Sequence, residues 1–239
     1  MQTPIKVYEL RTKVFLYSRL PCEEALGAVS LFIDHTLAKS KKYLAYHELN
    51  TFKYTFGSLF PVEQEHVYKP QTIYQFTLRT CDAELAKYLQ GQLPQEDTEH
   101  MKGLVTDVRI IPRKHISTLY SLTPIIVKGK SNNYWRDDMT LPDFERRLKE
   151  NLIKKYNLLT GEKIDEAFEL YTLLEFKNKC PVTVPIKGIK LLADKIQLQI
   201  ADNPQAQALA YAAIGLGLCE INARGCGFVS YHFSQEGIA

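Results

Sequence analysis

Hydrophobic and polar positions alternate with period two over residues 5–16 (IKVYELRTKVFL), which predicts a strand. The period changes over 23–38, where Leu26, Val29, Ile33 and Leu37 fall on one helical face. Two more strand-like runs, near 52–59 and 72–79, enclose a proline-containing connection. Asp82 stands where an N-cap is expected for a short helix through about Leu89, and 104–112 returns to strand. The order is β-α-β-β-α-β.

The second half repeats it. A strand is predicted near 116–127. Thr140 is placed as an N-cap, with Pro142 in the first turn, Asp143 three residues on, and Phe144, Leu148 and Leu152 at spacing four. Residues 168–177 and 189–200 read as strands, separated by a lysine-bearing segment around Pro181 and Pro185. Asn203-Pro204 opens a helix carrying Ala206, Leu209, Ala210 and Ala213, and 226–233 closes as a strand. Two copies of this order predict an α+β chain of two tandem ferredoxin-like (βαββαβ, RRM-like) domains, each a four-stranded antiparallel sheet with helices on one face. The boundary is expected near residues 113–118, giving domains 1–115 and 116–239. Such a fold names no activity, though it offers a sheet face and a cleft to a long ligand.

Composition narrows the class. The chain has 239 residues, 45% hydrophobic and 11% aromatic, which suits a packed globular protein. No run of about eighteen apolar residues exists to span a bilayer, and Met1 to Lys13 carries no signal-peptide core. A cytoplasmic protein is expected. Cys22, Cys81, Cys180, Cys219 and Cys226 form no CxxC pair and no zinc-spaced cluster, so reduced thiols and no metal are expected. The net charge of +3 is too small to declare a nucleic-acid partner, so its distribution matters more. Phe176 to Lys190 holds Lys177, Lys179, Lys187 and Lys190 and no acid. Lys128 to Arg136 holds Lys130, Tyr134 and the only tryptophan, Trp135. A third group is Arg109, Arg113, Lys114 and His115. Solvated loop faces would look the same singly; three together point toward RNA, where cations hold phosphates and rings stack on bases.

Gly215-Leu-Gly217 and Gly225-Cys-Gly227-Phe228 form a glycine-rich loop. It is no dinucleotide fingerprint, because a helix precedes it and a strand follows. An anion there would be held by loop N–H groups and Arg224. The plain alternative makes Gly215 a helix C-cap. Gly129-Lys130-Ser131 is no P-loop, since Pro124 occupies the position of the first glycine. Arg224 to Tyr231 matches the RNA-recognition signature except at Cys226, but that signature belongs on a third strand, with more chain to follow. The richest segment for chemistry runs from Tyr43 through Tyr46, His47 and Lys53 to Ser58. Histidine moves protons near neutral pH, lysine stabilises extra charge on a phosphorane, and tyrosine stacks or donates. A lone histidine is more often simply half-buried. His35 reads as solvent-facing.

These pieces together resemble the CRISPR-associated repeat-processing (pre-crRNA) endoribonucleases, the Cas-six family. The resemblance lies in His47 followed six residues later by Lys53 and Tyr54-Thr-Phe-Gly-Ser58, in the doubled ferredoxin-like order, and in the loop from Gly215 to Phe228. The run Leu119 to Val127, then Lys130, is similar to the family's entry into its second domain. Two features depart from the pattern. Seven residues, Leu218 to Arg224, separate the glycine pairs, more than is usual, and Phe32 stands where some members have a tyrosine. A general base is therefore not carried over; Tyr43, Tyr46 and His35 are at hand, and Tyr46 joins His47 and Lys53 as the candidate catalytic set. The resemblance implies cofactor-free attack of a ribose 2′-hydroxyl on the adjacent phosphate, leaving a 2′,3′-cyclic phosphate and a 5′-hydroxyl. His47 would be acid or base, and Lys53 would stabilise charge. Lys130, Lys177, Lys179, Lys187, Lys190, Gly215, Gly217, Arg224, Gly225 and Gly227 are the candidate RNA contacts. The implied partner is CRISPR repeat RNA, with an effector complex of other Cas proteins and a homodimer both open. The competing reading is a non-catalytic RNA-binding subunit on the same fold.

Overall fold

The computed structural model describes residues 5–48, 53–131, 133–186 and 188–234. The first half runs β1 (Val7–Leu16), β2 (Leu20–Pro21), α1 (Ala25–Ala38), α2 (Lys41–Glu48), β3 (Tyr54–Phe56), β4 (Val67–Tyr68), β5 (Thr72–Thr80), α3 (Ala83–Gln92) and β6 (Met101–Ile111). The second runs β7 (Ile116–Ser121), α4 (Trp135–Asp138), α5 (Leu141–Thr160), β8 (Tyr171–Phe176), β9 (Val182–Ile186), β10 (Ile189–Ala193), β11 (Ile196–Ile200), α6 (Pro204–Leu216) and β12 (Val229–Phe233).

Two four-stranded sheets organise these elements, in the orders β3-β5-β1-β6 and β12-β7-β11-β8. Counted within each half, both have the fourth strand beside the first, then the third, then the second. With antiparallel pairing throughout, that is the ferredoxin-like topology twice over. In β1, Leu10, Val14 and Leu16 bury one face under α1, whose Val29, Phe32, Ile33 and Leu37 are wholly buried.

Local signals explain where the helices begin. Asp82 accepts from the amides of Glu84 and Leu85. Thr140 and Asp143 form a complete capping box at α5, which ends at Gly161 in the left-handed region. Asn203 caps α6 through the Ala206 amide.

Helix α6 is buried all round from Ala208 to Leu216. Its small residues let it pack on β1 and β5 of one sheet and on β7, β11 and β12 of the other. The Tyr211 hydroxyl donates to the Ile111 carbonyl at 2.6 Å, fastening α6 to the end of β6. Arg79 of β5 donates to the Val229 carbonyl of β12 at 2.6 Å and lies 4.6 Å from the Phe228 ring centre. These contacts join the two sheets.

Several elements depart from the pattern-based expectation. Helix α2 occupies the start of a stretch expected to lead straight into a strand. Tyr43 is its one buried apolar anchor among residues 41–45, so no periodic stripe announces it. The single strand expected over 189–200 is two strands. β10 pairs with β9 in a separate hairpin, while β11 enters the main sheet. Pro185 lies inside β9, tolerated because that strand has a neighbour on one side only. The strand expected to reach 127 ends at Ser121, and Ile125 and Ile126 instead bridge to Asp194 and Glu220. Among the described residues no helix is long and apolar enough to cross a membrane.

Candidate functional site

The corner between α1, α2 and β3 collects the candidate catalytic segment. The Tyr43 ring packs on Tyr88 with centres 4.7 Å apart, and the Tyr88 hydroxyl donates to the Thr36 carbonyl at 2.8 Å. These contacts seat α2 against α3 and the end of α1. Tyr46 and His47 occupy the last turn of α2; their side chains lie outside the described residues. Lys53 comes directly before β3, where its carbonyl accepts the Thr80 hydroxyl at 2.6 Å. Its half-exposed ammonium is 3.7 Å from the Asp82 carboxylate, and Lys42 of α2 pairs with Glu84 two residues further on. Lys53 and α2 thus meet at the N-terminal end of α3. An open groove of about 500 Å³, lined by Lys42, Glu84, Lys87, Tyr88, Gly91 and Gln92, runs beside them. Phe32 is fully buried, edge-on to Phe76, and His35 is exposed on the same helix.

The glycine-rich loop comes from the second sheet and rests on the first. Gly215 lies inside α6, where a Cβ would stand 2.6 Å from the Cys81 sulfur, and the helix ends at Gly217. The C-cap is therefore two residues later than Gly215. At Gly225 a Cβ would stand 2.7 Å from Leu26 of α1 and 3.0 Å from Phe56 of β3. Ser30 of α1 donates to the Ala223 carbonyl, and Arg224 pairs with Asp34 and bonds the Ser30 hydroxyl. Several loop amides already have backbone partners: Leu218 donates to Gly227 and Gly225 to Asn222 within the loop, and Glu220 donates to Ile126 and Gly227 to Pro124 in the segment after β7. Close packing is thus what these glycines demonstrably provide, with Arg224 a strut between the loop and α1.

Two side chains hold the loop's shape. The Lys155 ammonium, reaching in from α5, donates to the carbonyls of Gly217 and Cys219 and to Asn222 Oδ1 at 3.0, 2.6 and 2.6 Å. Asn222 Nδ2 in turn donates to Leu218 and Cys226. Neither residue carries a motif, so sequence reasoning passes over both.

Among the basic segments, Lys130, Lys177, Lys179 and Lys190 are exposed, and Lys187 lies outside the described residues. Lys177 is 3.6 Å from Glu175. The amides of Lys130 and Ser131 are taken by the Asp138 carboxylate at 3.0 and 2.8 Å, which holds that carboxyl below its usual range. Arg109 of the third basic group converges with Arg79 and Arg11 on Glu9, a buried carboxylate. His115 lies between the Ser234 hydroxyl and the Asp202 carboxylate, at 2.6 and 2.9 Å. The RNA-recognition signature runs from the glycine loop into the first three residues of the last strand, β12, and its Phe228, just before the strand, and Tyr231, on it, face the Arg79 guanidinium. Among the described residues no cluster of histidine, cysteine and carboxylate side chains could hold a metal.

The doubled topology, with a glycine loop from one sheet seated on a helix and edge strand of the other, defines a tandem ferredoxin-like protein. Residues 107–231, more than half of the chain, match the family model described as CRISPR associated protein Cas6, C-terminal, and the chain belongs to that family. No curated protein matches the sequence. Among solved structures, a CRISPR associated protein Cas6 is similar at TM-score 0.67 and 18% identity, covering 95% of this chain and 99% of that one. A protein titled a Cas6-related gene from Pyrococcus furiosus aligns at 0.66 and 15%, covering 96% and 100%. A RAMP protein described as binding different RNA substrates aligns at 0.66 and 16%, covering 94% and 99%. At these identities the likeness establishes the fold.

Proposed function

We propose that this chain binds CRISPR repeat RNA and cuts the precursor within it, using the RNA's own 2′-hydroxyl as nucleophile. The observation that carries the reading is membership of the Cas6 C-terminal family, joined to a fold matched end to end by structures of that name. One such structure, at TM-score 0.61 and 16% identity, is titled a Cas6 product complex.

In this reading His47 transfers a proton, to the leaving 5′-oxygen or from the 2′-hydroxyl, and Tyr46 stands one residue away on α2. Lys53 stabilises the extra negative charge of the transition state; its half-exposed position leaves it reachable by RNA. The products are a 2′,3′-cyclic phosphate and a 5′-hydroxyl. Proton transfer by a placed side chain contributes roughly 10²–10⁴-fold. Lys130, Lys177, Lys179, Lys187 and Lys190 supply phosphate contacts. Gly215, Gly217, Gly225 and Gly227, with Arg224, build the loop that flanks α1 and β3. Residues 1–115 and 116–239 are the two domains of this reading.

The test is incubation of the full chain with its host's CRISPR repeat RNA in EDTA, beside a copy carrying a 2′-deoxy sugar at the cut site. Cleavage of the first and survival of the second supports the mechanism. Binding with neither RNA cut would make the chain a carrier, and cleavage of the deoxy copy would end the 2′-hydroxyl route.

A further inference from the structure

One acid sits where the basic segments are rooted. Asp194, 1% exposed, occupies the step between β10 and β11. Its carboxylate accepts four hydrogen bonds, two on each oxygen. Tyr134 Oη and Trp135 Nε1 donate to Oδ2 at 2.8 and 2.7 Å. Asn178 Nδ2 and Arg136 Nη2 donate to Oδ1 at 2.9 and 3.3 Å. Its own N–H and carbonyl pair with Ile125, at the entry to the loop carrying Lys130.

Each donor belongs to a segment that carries lysine. Tyr134, Trp135 and Arg136 close the loop that holds Lys128 and Lys130. Asn178 lies between Lys177 and Lys179, and its Oδ1 also accepts the Lys195 amide at 2.6 Å. The hairpin that carries Lys190 grows out of Asp194 itself through β10. The Arg136 guanidinium then lies over Trp135 and Phe176, at 4.8 and 4.7 Å from their ring centres, locking the first segment onto the end of β8.

We infer that Asp194 is a positioning residue for RNA: it sets three lysine-bearing segments relative to one another, so that one RNA backbone is held by all of them. The inference rests on the RNA-binding reading above and adds to it a residue that carries the wrong charge for a phosphate contact. That wrong charge makes the test decisive. By charge alone, Asp194→Asn removes a repulsion and should tighten binding to a polyanion. By geometry it turns an amide N–H toward two donors and loosens the segments, so binding should weaken.

The experiment measures affinity of the full chain for the host's CRISPR repeat made as an all-2′-O-methyl strand, which cannot be cut, at low and high salt. Cleavage of the ordinary repeat under saturating protein is followed in parallel. Asp194→Asn is expected to weaken binding about tenfold and flatten its salt dependence, as losing one or two phosphate contacts does. The saturated cleavage rate should stay unchanged. Asn178→Ala, which releases only the Lys177–Lys179 segment, is expected to weaken binding less and in the same direction, and keeps the test available if Asp194→Asn does not fold. Affinity unchanged or tightened in the folded Asp194 variant, or in Asn178→Ala where that one alone folds, would overturn the positioning role. A wild-type chain with no salt-dependent affinity would instead end the RNA-binding reading itself.

Discussion

Lys155 Nζ donates to Asn222 Oδ1 across 2.6 Å, and the two side chains together hold five acceptors around the glycine-rich loop. Only an ammonium carries three N–H groups, so the charged form is the one that satisfies all three of its acceptors. Burial nevertheless pulls the Lys155 pKa down to about 8, against the opposing pull of Cys219 and of Glu220, which is itself paired with Arg147. The folded value lies below the ordinary 10.5, so between those two limits the unfolded chain binds more protons and this group's contribution to stability rises with pH. Lys155→Met should be less stable than wild type at pH 7, because three acceptors lose their donor. It should also lack the wild-type gain between pH 8 and 10.5. Urea midpoints from pH 7 to pH 10.5 check both, and parallel pH curves would show that Lys155 is not the titrating group.

Gly227 has φ +71°, and an added Cβ would lie 2.1 Å from the Leu218 carbonyl oxygen and 2.7 Å from Asn222 Nδ2. Gly161, at φ +75°, has nothing within 4 Å of the same position. Alanine at Gly161 therefore meets only the backbone cost, about 1 kcal/mol. At Gly227 it must also displace the loop, for a total of at least about 2 kcal/mol. Chemical denaturation of the two variants separates these costs, and equal losses would contradict the steric argument.

Much of the fold is legible because its signals are local. Asp82, Thr140 and Asn203 each cap a helix through amides two or three residues away, so a short window contains the whole reason. The break in 189–200 was also present as a change of phase. Leu191 and Ala193 face inward at odd positions, whereas Ile196, Leu198 and Ile200 do so at even ones. The slip falls at Asp194. The site is less legible. Strand parity places Glu9 with Arg11 and Lys13, yet Glu9 is buried because Arg79, seventy residues on, reaches it. Lys155 is one lysine among several on α5, and its acceptors lie more than sixty residues away. Glycines read as a ligand loop are packed against Leu26, Phe56 and Cys81, contacts that no spacing encodes.

Glu9 meets Arg79 at 2.8 Å and Arg109 at 2.7 Å, and Arg79 continues to the Val229 carbonyl across the two sheets. Burial alone would raise the Glu9 pKa, but the two guanidinium groups outweigh it and hold the carboxyl below its usual value. A carboxylate lowered in this way contributes stability above the ordinary carboxylate range and loses it as pH falls through the lowered value. Glu9→Gln leaves the Arg79 charge buried without its counter-ion and should cost about 3 kcal/mol at pH 7. The difference from wild type should shrink only in acid, below about pH 4. A penalty that is constant from pH 7 to pH 3 would assign the loss to packing instead of charge.

Lys53 offers the sharpest division between a catalytic and a structural role. Its ammonium is 3.7 Å from Asp82, the residue that caps α3, so removing it acts on two things at once. If it stabilises the transition state, Lys53→Ala should lower the cleavage rate at saturating protein roughly 10²–10³-fold, while affinity for the repeat changes little. His47→Ala should lower the same rate roughly 10²–10⁴-fold with binding intact. Groups acting as a unit are not additive, so the double variant should fall well short of the product of the single losses. Lys53→Arg keeps the charge and should recover part of the rate. Suppose instead that Lys53→Ala cuts at the wild-type rate and only its unfolding midpoint drops. Lys53 would then be a partner of the α3 cap, and the charge stabilisation would have to come from another cation at the same corner, such as Lys42 of α2, which pairs with Glu84 beside that cap.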